Sequence, residues 1–458
     1  MDVHVLILAA GKGTRMKSAL PKVLHRVAGR PMIEYVLDAA KALGSKTSTV
    51  VIGHQAEMVK AALASHAGHT FVVQKPQLGT AHALLCAEPV LKAGRGTLVL
   101  LSGDVPLLTT ETLGKLLDQH VRTDAALTVL TAVVSDPRSY GRIVRVGEQL
   151  ARIVEEKDAS PSDRRIQEIN SGIYAFALEG LFEALRTVAA GNAQGEYYLP
   201  DLVAIFRSRG LGVETMTVID PAEIQGINSR LDLAEVSRRV RQAKNAALMA
   251  AGVTIEDPAT AYIDGDVRIG ADSVIHPHVS LEGTTLIGSG CEIHSGVRIV
   301  NSRLADRVTI CNHCVIVDTA TASDVSVGPF AHLKTGATIG KGAKVGNFVE
   351  MKKTVLGAGS KSMHLSYLGD AVIGEHVNIG AGTITCNYDG TKKQTTTIED
   401  GAFIGSDTQL VAPVTVGKGA YIGTGTTIRE DVPPGALAVS AGKQRNIEGW
   451  VERRRNKT

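Results

Sequence analysis

Neither charge dominates this sequence. Its 49 lysines and arginines against 46 aspartates and glutamates leave a formal +3 over 458 residues, which excludes a nucleic-acid coat or an acidic-substrate funnel resting on bulk charge. Any phosphate binding must therefore be local. Cysteine is scarce and odd in number: Cys86, Cys291, Cys311, Cys314 and Cys386 are too scattered for a disulfide framework, and reduced thiols fit them. The run Cys311-Asn312-His313-Cys314 lacks a second cysteine pair and lies in a repeat of strands, which predicts structural thiols and no zinc. No apolar stretch reaches membrane-spanning length, and no basic leader precedes the strand-like Val3 to Leu8 run. A cytoplasmic protein with no membrane or nucleic-acid partner is expected. The basic run at 453–457 reads as a solvated tail.

What is present falls into two grammars. Residues 1–230 alternate helical patterns with short runs at Val5-Leu8, Thr49-Ile52, Thr70-Val73, Thr97-Leu101 and Leu127-Val134. The runs are apolar throughout, as expected of parallel strands covered on both faces, so a doubly wound α/β sheet is predicted. Residues 231–251 are rich in helix formers and stop at Gly252, which predicts a linking helix. From 252 to 458 the period becomes six. Ile263, Ile269, Ile275, Leu281, Ile287, Ile293 and Ile299 keep it without exception, and Leu304, Ile310 and Ile316 resume it after a one-residue slip. Val327 to Met351 and Ile398 to Ile428 make two further runs. Six fits neither a helix nor a β-sandwich, but it is the beat of a hexapeptide β-helix, in which each short strand buries one aliphatic plug.

The beat is lost twice. Between Ile379 and Ile398 the polar stretch 385–393 is expected to loop out rather than plug a coil. Between Met351 and Ile373 the pattern falters around Lys361, His364 and Tyr367. Polar interruptions of a solenoid are where binding is usually built.

In the first half, Leu6 to Met16 is a buried strand running into Gly11-Lys12-Gly13, with Arg15 close behind. Such glycines let backbone N–H groups approach phosphate, and the cations add charge. Met16 stands where a dinucleotide fingerprint wants glycine, which disfavours a nicotinamide enzyme. Asp104 ends the buried run Thr97 to Gly103, where open α/β sheets bind ligands, and its carboxylate suits a hard cation.

Leu8-Ala9-Ala10-Gly11-x-Gly13-Thr14-Arg15-Met16, followed by Leu20-Pro21-Lys22, resembles the signature of sugar-1-phosphate nucleotidylyltransferases. Together with the hexad repeat, the whole chain resembles the bifunctional N-acetylglucosamine-1-phosphate uridylyltransferase and glucosamine-1-phosphate acetyltransferase family. The resemblance implies a Rossmann-like nucleotidylyltransferase domain followed by a left-handed parallel β-helix. It also implies acetyl-CoA and UTP as co-substrates, Mg²⁺ as cofactor, glucosamine 1-phosphate and N-acetylglucosamine 1-phosphate as substrates, and a homotrimer. By it, Leu8, Ala9, Ala10, Gly11, Ser102 and Gly103 line the nucleotide site and Arg15 and Lys22 act on the triphosphate. Gln74, Gly79 and Thr80 read the uracil, Gly141, Glu155 and Asn170 hold the sugar, and Asn228 joins Asp104 on the metal.

Acyl transfer from a thioester to a sugar amine needs a base, and an unperturbed imidazole titrates near pH 6.5, which makes His364 the candidate. The resemblance adds Lys334, Lys352, Tyr367 and Asn378 on the sugar phosphate and Asn387 orienting the amine. It places Ala381, Asn387, Tyr388, Ser406, Thr424 and Ala441 along acetyl-CoA. Four positions depart from the family's common pattern: Ser102 replaces a tyrosine, Lys334 an arginine, Thr424 an alanine and Ala441 an arginine. The rival expectations are a single nucleotidylyltransferase with an assembly β-helix, and a binding scaffold without turnover.

Overall fold

The computed structural model describes residues 2–66, 68–91, 94–440, 442, 444 and 446–455. Contacts divide the chain into two compact units, 1–240 and 241–458, with the division inside the helix Arg230–Ala250.

In the first unit the strand order is Val213–Thr217, Leu127–Val133, Glu168–Ala177, Thr97–Ser102, Val3–Ala9, Thr47–Ile52 and His69–Val73. Val3–Ala9 pairs in parallel with both Thr47–Ile52 and Thr97–Ser102. Both faces are covered, as the unbroken apolar runs predict: Val5, Ile7, Val99 and Leu101 feed one core, Leu6, Leu98 and Leu100 the other. Besides the antiparallel hairpin of Arg142–Val146 and Gln149–Val154, the departure from an all-parallel expectation is Glu168–Ala177. It runs antiparallel between Leu127–Val133 and Thr97–Ser102, with a register shift between Asn170 and Tyr174. Its first half, Glu168-Ile169-Asn170-Ser171-Gly172, has too little apolar character to read as a central strand. Across that irregularity Asn170 Nδ2 donates to the Tyr174 hydroxyl at 2.7 Å.

The second unit is a left-handed parallel β-helix. Ile275, Ile293, Ile310, Val327 and Val345 stack in register along one sheet, and Leu281, Ile299, Ile316, Leu333 and Met351 along another. All are essentially sealed from solvent. Removing one such plug to alanine costs about 2–5 kcal/mol, so the hexad pattern is the energetic spine of the unit.

Two expectations about the broken beat are corrected. The stretch from Met351 to Ile373 does not interrupt the coil: Ser362 takes a plug position and is fully buried, opposite Val345 and Ile379. Thr385 likewise plugs rather than looping out. It accepts from Gly369 N at 2.7 Å and donates to Gly369 O at 3.0 Å, which satisfies its hydroxyl inside the core. The projecting loop is shorter, spanning Asn387 to Gln394 and closed by Gln394 N on Asn387 O at 2.8 Å. It accounts for the 25 residues from Ile379 to its partner Ile404, against 18 from Ile404 to Ile422.

Candidate functional sites

The first site is a cleft of 510 Å³ beyond the carboxyl ends of Val3–Ala9 and Thr97–Ser102. Leu8, Ala9, Ala10, Gly11, Lys22, Gln74, Gly79, Thr80, Ser102 and Asp104 line it together. A larger hollow of 810 Å³ at the amino end of Thr97–Ser102, by Arg95, His120 and Glu183, holds none of the motif residues. Beside the cleft, Lys22 Nζ donates to both Asp104 Oδ2 and Asn228 Oδ1, the latter at 2.8 Å, and Arg15 Nη2 reaches the same Asn228 oxygen at 3.0 Å. Asp104 and Asn228, 124 residues apart in sequence, thus share one cation. The Asn228 turn is fixed from behind. Asp232, in the first turn of Arg230–Ala250, accepts from the Asn228 and Ser229 N–H groups at 2.9 and 2.8 Å, and Ile227 N donates to Asp104 O at 2.9 Å.

Gln74 is buried and donates through Nε2 to Gly79 O at 2.9 Å, while Leu199 N donates to Thr80 Oγ1 at 3.0 Å. Gly79 has no substitute: its φ is +109°, and a Cβ there would lie 2.5 Å from Tyr197 O. Gly141, Glu155 and Asn170 also come together. Asn170 N donates to Gly141 O at 2.9 Å, and a Cβ at 141 would stand 3.1 Å from a Glu155 carboxylate oxygen. Burial pushes the Glu155 carboxyl above its usual range, helped by Asp158, Asp201 and Glu196. Ser102 lies 3.4 Å from where a Cβ on Gly172 would stand, on the neighbouring strand.

In the second unit, His364 ends the strand Lys361–His364 and its Nδ1 meets Asn347 Oδ1 at 2.8 Å. Strand register places Ala381, Ser406 and Thr424 on the three coils that follow, directly under His364. On the adjoining sheet Lys334 N donates to Met351 O at 2.8 Å, one residue before Lys352, and Lys352 pairs with Gly369. A side chain on Gly369 would overlap the Tyr367 hydroxyl and stand 2.8 Å from Asn387 Nδ2, so Tyr367 and Asn387 converge over that glycine. Asn387 is buried and donates to Asp370 Oδ2, whereas Tyr388 is exposed in the loop with its hydroxyl on Gly390 O. Lys334 Nζ is engaged by Glu350 Oε1 at 2.6 Å. Asn378 stands apart: it begins the strand Asn378–Ile379, three residues and about 10 Å along the chain from Ala381. Among the described residues no hydrogen bond joins His364 to Asn387. Ala441, with its neighbours Lys443 and Arg445, lies outside the described residues.

Residues 5–192 match the family of MobA-like NTP transferase domains, and residues 395–430 match the bacterial transferase hexapeptide (six repeats). A bifunctional protein GlmU from Pelobacter propionicus is 50% identical over 458 residues, covering 100% of both chains. Bifunctional GlmU proteins from Trichlorobacter lovleyi and Heliobacterium modesticaldum are each 50% identical over 452 and 450 residues, covering 98% of each chain.

The chain belongs to the bifunctional GlmU family. It is therefore an enzyme with uridylyltransferase and acetyltransferase activities, acting on sugar phosphate with UTP and acetyl-CoA. Against that identity, sequence reasoning overlooked several residues. Asn347, Glu350 and Asp370 each hold a candidate side chain, and only the coil register reveals them. Gln77 and Glu196 line the first cleft without any motif to mark them. Tyr140 is signalled only by standing before Gly141; burial raises its pKa, and the Asp232 and Asp104 carboxylates add to the shift.

Proposed function

We propose that this GlmU-family chain makes UDP-N-acetylglucosamine in two steps. The β-helix unit acetylates glucosamine 1-phosphate from acetyl-CoA, and the first unit then transfers uridylyl from UTP to N-acetylglucosamine 1-phosphate, releasing pyrophosphate. The observation that carries this reading is that the two sets of candidate groups belong to separate compact units, each with its own core.

In the acetyl step, His364 Nε2 takes a proton from the substrate ammonium. The freed amine attacks the thioester carbonyl carbon, the C–S bond breaks, and the second amine proton passes to the departing thiolate, leaving the amide and the CoA thiol. Asn387, steadied by Asp370, orients the amine, and Tyr367, Lys352 and Asn378 bind the sugar and its phosphate. Lys334 must trade Glu350 for phosphate, and a single ammonium lacks the parallel fork an arginine would offer. The pantetheine arm follows Ala381, Ser406 and Thr424, flanked by Tyr388.

In the uridylyl step, Gln74, Gly79 and Thr80 hold the uracil and Gly141, Glu155, Asn170 and Ser102 hold the sugar. Leu8, Ala9, Ala10, Gly11 and Gly103 form the floor. Arg15 and Lys22 draw the triphosphate into line, so that the sugar-phosphate oxygen attacks the α-phosphorus and the bond to pyrophosphate breaks. Asp104 and Asn228 already share one ammonium, and a carboxylate with a carboxamide oxygen is a hard donor set that suits Mg²⁺. Mg²⁺, when bound there, supplies charge neutralisation for the phosphate oxygens.

We further propose a homotrimer. His364 and Asn378 lie on paired strands of one sheet, three register positions apart, a gap that a group from a neighbouring copy would bridge. An exposed corner ladder supports this: Phe330 and Phe348 stack at 5.4 Å, with His313 on Phe330 at 5.2 Å. No described helix is long and apolar enough to cross a membrane. The five free thiols and the dependence on acetyl-CoA and UTP support a cytoplasmic site of action.

Omitting glucosamine 1-phosphate, acetyl-CoA, UTP and Mg²⁺ in turn from a single reaction tests the reading. UDP-N-acetylglucosamine is expected only from the complete mixture. Thiol release that does not depend on the amino sugar, or product formed without Mg²⁺ at the full rate, overturns it.

A further inference from the structure

Near the start of the β-helix, three successive coils gather two imidazoles and two carboxylates that neither reaction uses. The strands Thr254–Ile255, Val274–Ile275 and Glu292–Ile293 pair in register, which sets Glu256, His276 and His294 in one column immediately after their plugs. Glu292, two residues before His294, projects from the same face. The two imidazoles stack with centroids 4.7 Å apart and planes 21° from parallel. Glu292 Oε1 lies 3.3 Å from His276 Nε2 and 3.4 Å from His294 Nε2. One donor atom from each of the three residues falls within 4.8 Å of the others.

These separations have a chemical meaning. Around Zn²⁺, with ligand bonds of about 2.0–2.1 Å, the edge of a coordination tetrahedron is about 3.4 Å. Two edges are therefore already at that length, and the third closes by rotation of a half-buried imidazole. The supporting shell is also built: His276 Nδ1 meets Glu256 Oε2 at 3.0 Å, the carboxylate partner that fixes the tautomer of a metal-binding histidine and turns Nε2 toward the ion.

We propose that His276, His294 and Glu292 bind a divalent transition cation of the Zn²⁺ class, with water completing the shell and Glu256 positioning His276. Two imidazoles disfavour Mg²⁺, so this site is chemically separate from the Asp104 and Asn228 pair. The ion cross-links two adjacent coils near the start of the solenoid and stabilises the folded form in proportion to its saturation.

The test uses the full chain, freed of metal by chelation and titrated with Co²⁺ in buffer containing Mg²⁺. One equivalent is expected to bind with the visible absorption of a four-coordinate ion, to be displaced by Zn²⁺, and to raise the melting temperature of the β-helix. His276→Ala and His294→Ala each weaken binding by at least about 10-fold, and Glu256→Gln by about 10-fold or more. All three variants melt like the metal-free parent, because none of the residues is a plug, and keep both transferase activities. A parent chain without the absorption overturns the proposal. So does a His276→Ala/His294→Ala variant that binds Co²⁺ with the parent's affinity and spectrum, since a protonated histidine–glutamate cluster alone then explains the distances.

Discussion

His364 Nδ1 faces Asn347 Oδ1 at 2.8 Å across one rung of the solenoid. A carboxamide oxygen only accepts, so in this pairing Nδ1 is the donor and Nε2 is the nitrogen left for the substrate. The pairing gives the proposed base a defined tautomer, and it comes from a residue on the preceding coil.

Removing the imidazole tests the base directly. His364→Ala is expected to lower acetyl transfer by about 10²–10⁴-fold, the usual worth of a positioned base. Asn347→Leu leaves the imidazole but releases its tautomer, so kcat falls by about 10-fold while KM for the amino sugar stays close to the parent value. Thiol release from acetyl-CoA, followed over a range of amino-sugar concentrations, separates the two effects. Unchanged kcat in both variants contradicts the assignment.

Asp104 and Asn228 should fail in different degrees. Asp104→Ala removes the charged donor and is expected to abolish Mg²⁺-dependent pyrophosphate release. Asn228→Ala removes a neutral donor and is expected to raise the Mg²⁺ concentration needed for half-maximal rate by about 10-fold. Pyrophosphate release measured against Mg²⁺ concentration distinguishes them.

Gly79 allows a prediction about backbone alone. With φ at +109° and Tyr197 O only 2.5 Å from a potential Cβ, Gly79→Ala must shift the loop that Gln74 and Thr80 depend on. Strain of about 1–3 kcal/mol is expected, with a raised KM for UTP and unaltered acetyl transfer. Steady-state kinetics of both activities on one preparation provide the check.

Acid should loosen the first unit through His120. Its Nδ1 meets Thr128 Oγ1 at 2.9 Å, both residues are buried, and burial pushes the imidazole down to about 4. The unfolded chain takes up this proton near pH 6.5 and the folded one does not until about 4. The stability is therefore present above pH 6.5 and lost as the pH falls toward 4. Hydrogen-exchange protection of Leu127–Val133 is expected to decline over that window, and His120→Gln to flatten the decline.

Periodicity exposed the solenoid because aliphatic plugs carry most of its stability, and unbroken apolar runs exposed the parallel strands for the same reason. The failures share a cause. Ser362 and Thr385 fill plug positions with small polar side chains, so an apolar count loses the beat where the backbone keeps it. Glu168–Ala177 is central to its sheet, yet in its first half Ile169 is the one buried apolar side chain among the polar Glu168, Asn170 and Ser171, so no apolar run marks it. The candidate groups of the first cleft were legible because Gly11, Gly13, Lys22 and Asp104 are chemically conspicuous. Asn347, Glu350 and Asp370 were not, since each matters only through the neighbour that register gives it.

The most direct test of the two-site account is the product distribution from glucosamine 1-phosphate, acetyl-CoA, UTP and Mg²⁺ in three preparations: the parent, His364→Ala and Asp104→Ala. The parent should yield UDP-N-acetylglucosamine. Asp104→Ala should stop at N-acetylglucosamine 1-phosphate, and His364→Ala should recover full product formation once that intermediate is added. Loss of both activities together in either folded variant contradicts the account.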